Sequence, residues 1–245
     1  MPTGRRGGTT RAVLERKAAQ GLPHENASTG PDEDALIVLV QRGITPRQRH
    51  VVRDLGTLFA HAHFGEKLAR RVTAEALQDA CFRKEGGMRA LFLPARFEDE
   101  MWLWLVRLPH GPSVRFQVIN LHTIAELNFQ HHVKAVRHPC LLSFDASFDC
   151  EPHLRLIREM LRGAFSQGEA AVKARQARNA AAAGGFNTAL SFCIADGRVW
   201  MRAYDVVAGE LDGCDELRER GPRLVLAPQR ILASVLDGAP LWSRS

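Results

Sequence analysis

Between residues 101 and 120 the chain reads Met-Trp-Leu-Trp-Leu-Val-Arg, then Leu-Pro-His-Gly-Pro, then Ser-Val-Arg-Phe-Gln-Val-Ile-Asn. Two apolar runs rich in β-branched and aromatic residues flank a turn made rigid by Pro109 and Pro112, with His110 and Gly111 between them. Such a segment is committed to an antiparallel hairpin over 101–107 and 114–120. That pair excludes a purely parallel sheet, whatever the rest of the chain does. Trp102 and Trp104 alternate with Leu103 and Leu105, so both indoles share one face. Core packing is expected for them ahead of base stacking.

Upstream, residues 1–34 are rich in Gly, Thr, Arg, Pro and Asp and lack hydrophobic periodicity, so a flexible tail is expected there. Within it, residues 11–20 are expected to stay solvated, the alternative being a short helix formed on contact with a partner. Order begins at Ala35-Leu36-Ile37-Val38-Leu39-Val40, a run that reads as a strand buried on both faces. Gln41-Arg42-Gly43-Ile44-Thr45 follows as a turn, with Thr45 as N-cap and Pro46 opening a helix over about 46–60. His61 and His63 fall at its fraying end. A second helix is expected over 73–83, a strand over 89–93, and one or two helical turns over 123–129.

The second part of the chain echoes this order. A strand over 141–144 precedes a helix from Glu151-Pro152 to about Phe165, whose apolar positions recur at helical spacing. Runs at 188–194 and 198–207 flank Ala195-Asp196-Gly197, a hairpin signal. A last strand is expected over 223–226 and a closing helix over 228–236. The reading is an α/β protein of two similar parts, about 35–135 and 136–242.

With Lys and Arg at 33 against 27 Asp and Glu, the formal charge is +6 and the isoelectric point about 9.4. That surplus favours polyanionic partners. Five scattered cysteines without a CxxC pair read as reduced thiols in the cytosol or nucleus. The first residues do not read as a leader peptide, and no run is apolar enough to span a bilayer, so no membrane partner is expected.

Catalytic and metal constellations are absent from the pattern. His61 with His63, and His131 and His132 with His138, lack zinc-ligand spacing. Ser113 leads into a strand and reads as a turn residue, not as a nucleophile on an elbow. Asp145 and Asp149 frame Ser-Phe-Asp-Ala-Ser-Phe-Asp, and Asp149 reads as a helix cap rather than an acid–base partner. No metal, cofactor or enzymatic activity is expected. The basic residues carry more. Arg42, Arg47, Arg49 and Arg53 gather at the first strand-to-helix turn, where helix N–H groups also favour phosphate. Arg155, Arg158 and Arg162 form a second row, and Lys173, Arg175 and Arg178 extend it. Arg115 and Arg223 complete the candidate RNA-binding set.

Several blocks resemble one family. They are Gln41-Arg42-Gly43-Ile44, Leu108-Pro109-His110-Gly111-Pro112-Ser113, Leu121-His122-Thr123-Ile124-Ala125-Glu126-Leu127, Ser143 to Asp149, Asp196 to Arg202, and Gly221-Pro222-Arg223-Leu224. In this order they are similar to the BRIX-domain family of ribosome-assembly proteins, and the Pro-His-Gly-Pro and His-Thr-Ile-Ala-Glu-Leu blocks to its large-subunit branch. The resemblance implies two α/β halves, each like the anticodon-binding domain of class II aminoacyl-tRNA synthetases. It further implies work in the nucleolus on large-subunit pre-rRNA, with an EBNA-binding-protein-type assembly factor as partner alongside other pre-60S factors. Leu224 departs from the aromatic common there, the 166–186 segment does not match, and the long basic tail of many relatives is missing, so tail-mediated RNA contacts are not expected. Rival readings are a small-subunit member of the same family and a protein-docking scaffold that never touches RNA.

Overall fold

In the computed structural model the residues described are 35–59, 62–69, 71–82, 89–94, 100–129, 140–166, 187–208 and 215–244. The tail, most of the 166–186 segment, His61, His131, His132, His138, Lys173, Arg175 and Arg178 lie outside them.

Strand β1 (Leu36–Gln41) is central and parallel to both neighbours, β2 (Ala62–Leu68) and β3 (Arg89–Leu93). Its unbroken apolar run follows from that position. Leu36, Val38 and Val40 face one core, while Ile37 and Leu39 face another on the opposite side of the sheet. Helix α1 (Pro46–Leu58) lays Val51, Leu55 and Leu58 on the first core, and α2 (Ala74–Phe82) lays Leu77, Ala80 and Cys81 on the second. β4 (Met101–Arg107) and β5 (Ser113–His122) form the expected antiparallel hairpin, and β4 pairs antiparallel with β3. A short helix α3 (Ile124–Leu127) follows.

The next stretch runs β6 (Leu141–Phe144), a 3₁₀ turn (Ala146–Asp149), α4 (Pro152–Phe165), β7 (Thr188–Ala195), β8 (Arg198–Ala208), β9 (Asp215–Glu219), β10 (Arg223–Leu232) and β11 (Pro240–Ser243). All strands join one eleven-stranded sheet ordered β2-β1-β3-β4-β5-β10-β8-β7-β6, with β9 beside β8 and β11 beside β10. From either side the pattern reads alike. β1 is parallel to β3 and then β4 and β5 alternate; β6 is parallel to β7 and then β8 and β10 alternate. The two sets meet at the antiparallel β5–β10 pair.

Helices α1 and α4 share the first core. Phe59, which caps α1, stacks on Phe165 of α4 at 4.5 Å, and Phe165 and Phe144 both stack on Phe192 of β7. The second core draws on β1 to β4, α2 and the 235–236 loop, with nothing from β6 to β8.

Three expectations are corrected. Residues 228–236 are not a helix: β10 continues to Leu232, because Arg230, Ile231 and Leu232 pair with Arg115, Val114 and Ser113, and β11 adds a further partner. Pro228 is tolerated because the register shifts between it and Arg230, so no ladder donor is missed there. His63 lies in β2, not on a helix end, since pairing with Ile37 draws residues 62–68 into the sheet. Asp149 does not cap α4. Glu151 holds the N-cap position without a side-chain bond, and Asp149 ends the 3₁₀ turn. Strands β9 and β11 were not expected from sequence.

Candidate nucleic-acid interface

Arg42 and Gly43 form the turn out of β1, and Gly43 adopts φ +97°, a conformation glycine reaches without steric cost. The start of α1 is then locked by a capping box. The Thr45 hydroxyl accepts from the Gln48 N–H at 3.2 Å, and Gln48 Oε1 accepts from the Thr45 N–H at 2.8 Å. Gln48 is buried, and its Nε2 donates to the Pro94 carbonyl at 3.1 Å. No acidic side chain occupies the first turn, so the positive end of the helix keeps its field. Arg42, Arg49, His50 and Arg53 are exposed around it. Arg49 donates to the Ile44 carbonyl at 3.3 Å, and Arg42, Arg49 and Arg53 make no ion pair among the described residues. A cleft of about 580 Å³ runs from this helix start to the ends of β4 and β5, lined by Thr45, Arg47, Gln48, Met101, Gln117 and Asn120.

Arg47 has a different task. Its Nε contacts Glu126 at 2.9 Å, and its Nη2 donates to the Leu121 carbonyl at 2.5 Å. Glu126 also accepts from the Thr123 N–H at 2.8 Å, completing a second capping box. Burial opposes ionisation of Glu126, yet the Thr123 N–H and Arg47 outweigh it and hold its carboxyl below the usual range. Asp54, about two turns along α1 from Arg47, accepts from the Ile124 N–H at 2.8 Å, and burial pushes its carboxyl up against that bond. The His-Thr-Ile-Ala-Glu-Leu block is thus a short helix pinned to α1. Gly221 passes beneath it with φ +73°, where a Cβ would lie 2.6 Å from Leu127. Gly221-Pro222 is therefore a packing corner.

The Pro-His-Gly-Pro turn is likewise architectural. The Pro109 carbonyl accepts from Gln78 of α2 at 2.6 Å, and a Cβ on Gly111 would lie 2.6 Å from the Ala233 carbonyl oxygen. His110 is exposed beside it, and Pro112 leads into β5. Ser113, read from sequence as a turn residue, is buried in β5. Its hydroxyl donates to the Ser234 carbonyl at 2.7 Å and accepts from the Leu236 N–H at 3.1 Å.

The other candidate cations divide. Arg155 is exposed and makes no ion pair among the described residues. Arg158 contacts Asp149 at 2.6 Å, which raises its pKa, and Arg162 contacts Glu159 at 3.1 Å. Arg223 grips Glu219 through two bonds of 2.5 and 2.6 Å, and this holds the Glu219 carboxyl down. Arg115 lies over the Trp102 ring at 4.1 Å, with its pKa lowered by burial and by Arg230. Sequence reasoning passed over Arg220. It is 1% exposed, contacts Asp205 at 2.8 Å and donates to Thr188 at 3.3 Å. A charged residue directly before Gly-Pro was the available signal.

Asp145 accepts from the Ser147 and Ile194 N–H groups, each at 2.9 Å, tying the 3₁₀ turn to β7. Cys81 and Cys140 sit in the two different cores, and burial pushes both thiols up to about 12. Among the described residues no three His, Cys, Asp or Glu side chains gather as a metal site.

Comparison with known proteins agrees with this architecture. The Brix domain profile matches residues 41–230. The chain is 32% identical over 202 residues to the ribosome biogenesis protein BRX1 homolog of Dictyostelium discoideum, covering 82% of this chain and 59% of that one. It is 31% identical over 225 residues to ribosome biogenesis protein brx1 of Schizosaccharomyces pombe, covering 91% and 72%. With the human BRX1 homolog it shares 30% over 211 residues, covering 86% and 56%, so the chain spans little more than half of the human and Dictyostelium proteins. A crystal structure of a probable ribosomal biogenesis protein from Aeropyrum pernix K1 shares the fold, with a TM-score of 0.50 at 16% identity over 79% of this chain and 95% of that one. A sheet doubled by one strand pattern, with family blocks spent on its corners, and a profile match across nearly all of it lead to one conclusion: the chain belongs to the Brix domain family.

Proposed function

We propose that this protein is a non-enzymatic assembly factor of the large ribosomal subunit that binds pre-rRNA in nucleolar precursors. The observation that carries the reading is the start of α1. There Arg42, Arg49 and Arg53 stand exposed around a rigidly capped helix start, near a cleft lined by Arg47 and Glu100, and make no ion pair among the described residues. Cations so placed favour phosphate, and the capped N-terminus adds oriented N–H groups. Phosphate contacts supply affinity and RNA shape supplies most of the selectivity. The BRX1 names of its relatives support ribosome biogenesis as the process. An EBNA-binding-protein-type assembly factor is the proposed protein partner, together with other pre-60S factors. Catalysis plays no part in this reading.

The test is ultraviolet crosslinking of the tagged protein in its own cells, with the bound RNA sequenced. Reads concentrated on large-subunit pre-rRNA are the expected result. Reads on small-subunit precursors would move the protein to the other subunit. Precursor particles that contain the protein without crosslinks would make it a docking scaffold.

A further inference from the structure

Helix α4 crosses the outer end of β3 and β4 without closing against them. Along that strand pair Leu91 faces Leu105 and both enter the first core, while Ala90 and Val106 enter the second. Alternation therefore returns Arg89 and Arg107, opposite each other one step further out, to the side that carries α4. A cavity of about 260 Å³ lies between these arginines and the helix. Burial gives its depth. Leu105, Met160 and Ala164 are buried at the bottom, Leu156 and Gly163 are half-buried on the helix wall, and Arg107 and Glu159 are exposed at the mouth.

Gly163 stands inside α4, where glycine is a poorer helix former than alanine. A Cβ there would lie 3.4 Å from Arg89 Nε and 3.9 Å from its Cδ, so the Arg89 side chain runs along bare helix backbone. Arg107 makes no ion pair among the described residues. Glu159 is shared between Arg158 at 3.4 Å and Arg162 at 3.1 Å. Two arginines of the lining thus meet a single glutamate, and that glutamate is already engaged.

An occupant must match an aliphatic bottom and a cationic mouth. The volume falls short of the roughly 300 Å³ at which sites for drug-sized ligands begin, and it suits one or two side chains. Nucleic acid fits poorly. The lining holds no aromatic ring on which a base could stack, and Glu159 repels a continuous phosphate chain. A short protein segment satisfies both ends, with an apolar side chain as anchor and carboxylates beside it for the guanidinium forks.

We infer that this cavity is a docking site for an acidic segment of a partner protein. The segment seats one leucine- or phenylalanine-sized side chain on Leu105, Met160 and Ala164 and lays its flanking carboxylates over Arg107 and Arg89. This site is independent of the RNA-binding reading, whose cations lie around the start of α1.

The experiment pans a display library of short random peptides against the whole chain and measures the enriched peptides, fluorescein-labelled, by anisotropy. Sequences with one large apolar residue beside Asp or Glu are the expected yield. Replacing that apolar residue by Ser in the peptide, or Arg107→Glu at the exposed mouth of the cavity, should each weaken binding about tenfold. Gly163→Leu, which grows a side chain from the cavity wall, should weaken it at least as much. Arg49→Glu/Arg53→Glu should leave it unchanged, which separates this cavity from attraction to basic surface at large. Should Gly163→Leu fail to fold, Arg107→Glu alone decides. A library that yields no binder, or binders without acidic residues, would overturn the proposal. So would an acidic peptide bound equally by wild type and Arg107→Glu. Oligo-uridine displacing the peptide at equal charge, and losing affinity with Arg107→Glu, would overturn it in favour of RNA.

Discussion

The two strand sets of the sheet share a pattern and use it differently. In β1 to β5 the crossover between the parallel strands holds α1, β2 and α2, so both faces of β1 are covered and Leu36 to Val40 are buried. Between β6 and β7 the described residues form a 3₁₀ turn and α4, which pack on the first core. Their arginine rows differ in parallel. Around α1, Arg42, Arg49 and Arg53 make no ion pair among the described residues, whereas on α4 Asp149 and Glu159 take up Arg158 and Arg162. Equal spacing on two helices does not mean equal availability of charge. What decides is whether the neighbouring turn delivers an acid.

The largest effect expected from breaking this contrast lies inside the second set, where Arg220 is the buried cation. Arg220→Ala strands Asp205 beside Thr188, and unpairing one partner of a buried ion pair costs about 3 kcal/mol or more. Urea denaturation should show that loss, and Asp205→Asn, which keeps an acceptor for Arg220, should lose less. Second in size is the charge contrast itself. Arg42→Glu/Arg49→Glu/Arg53→Glu is expected to weaken RNA binding about 100-fold near 0.1 M salt and to flatten the salt dependence by about two units of log–log slope. Arg158→Glu/Arg162→Glu should change affinity less than about threefold and instead lower the melting temperature, by facing Asp149 with like charge. Equal losses from both sets, read by fluorescence anisotropy, would erase the distinction.

Smaller is the clamp between α1 and α3. Arg47→Ala removes a half-exposed pair with Glu126 and a bond to the Leu121 carbonyl, worth about 1 kcal/mol together. Hydrogen exchange should quicken at the Thr123–Leu127 amides while RNA affinity holds. The smallest effect is on pH. Glu126 is held below its unfolded value near 4.5, so its contribution is complete above that pH and is lost as pH falls through the lower folded value. Wild type should lose that increment in acid melts, and Glu126→Gln should not.

Much of this was legible in the residues. Thr45-Pro46 marked the start of α1, Pro-His-Gly-Pro the β4–β5 hairpin, and Asp196-Gly197 the β7–β8 hairpin, because caps and turns are local chemistry. The failures were non-local. Residues 228–232 look like a helix after a proline, and only pairing with Arg115 to Ser113 makes them strand. Arg47 and Arg49 are indistinguishable by spacing, and only the arrival of Glu126 from 79 positions away separates them. Trp102 and Trp104 were expected to share a core. Trp104 packs on the second one, while Trp102 lies beneath Arg115.

Sequence alone determined the capped helices, the two hairpins and the family, since turn dihedrals, capping and apolar period are set within a few residues of chain. Tertiary structure decided which arginines keep their charge exposed, which glycines are corners, and which helices share a core. Those depend on what distant segments bring within about 4 Å, the range at which ion pairs and packing act, and no spacing along the chain encodes that distance.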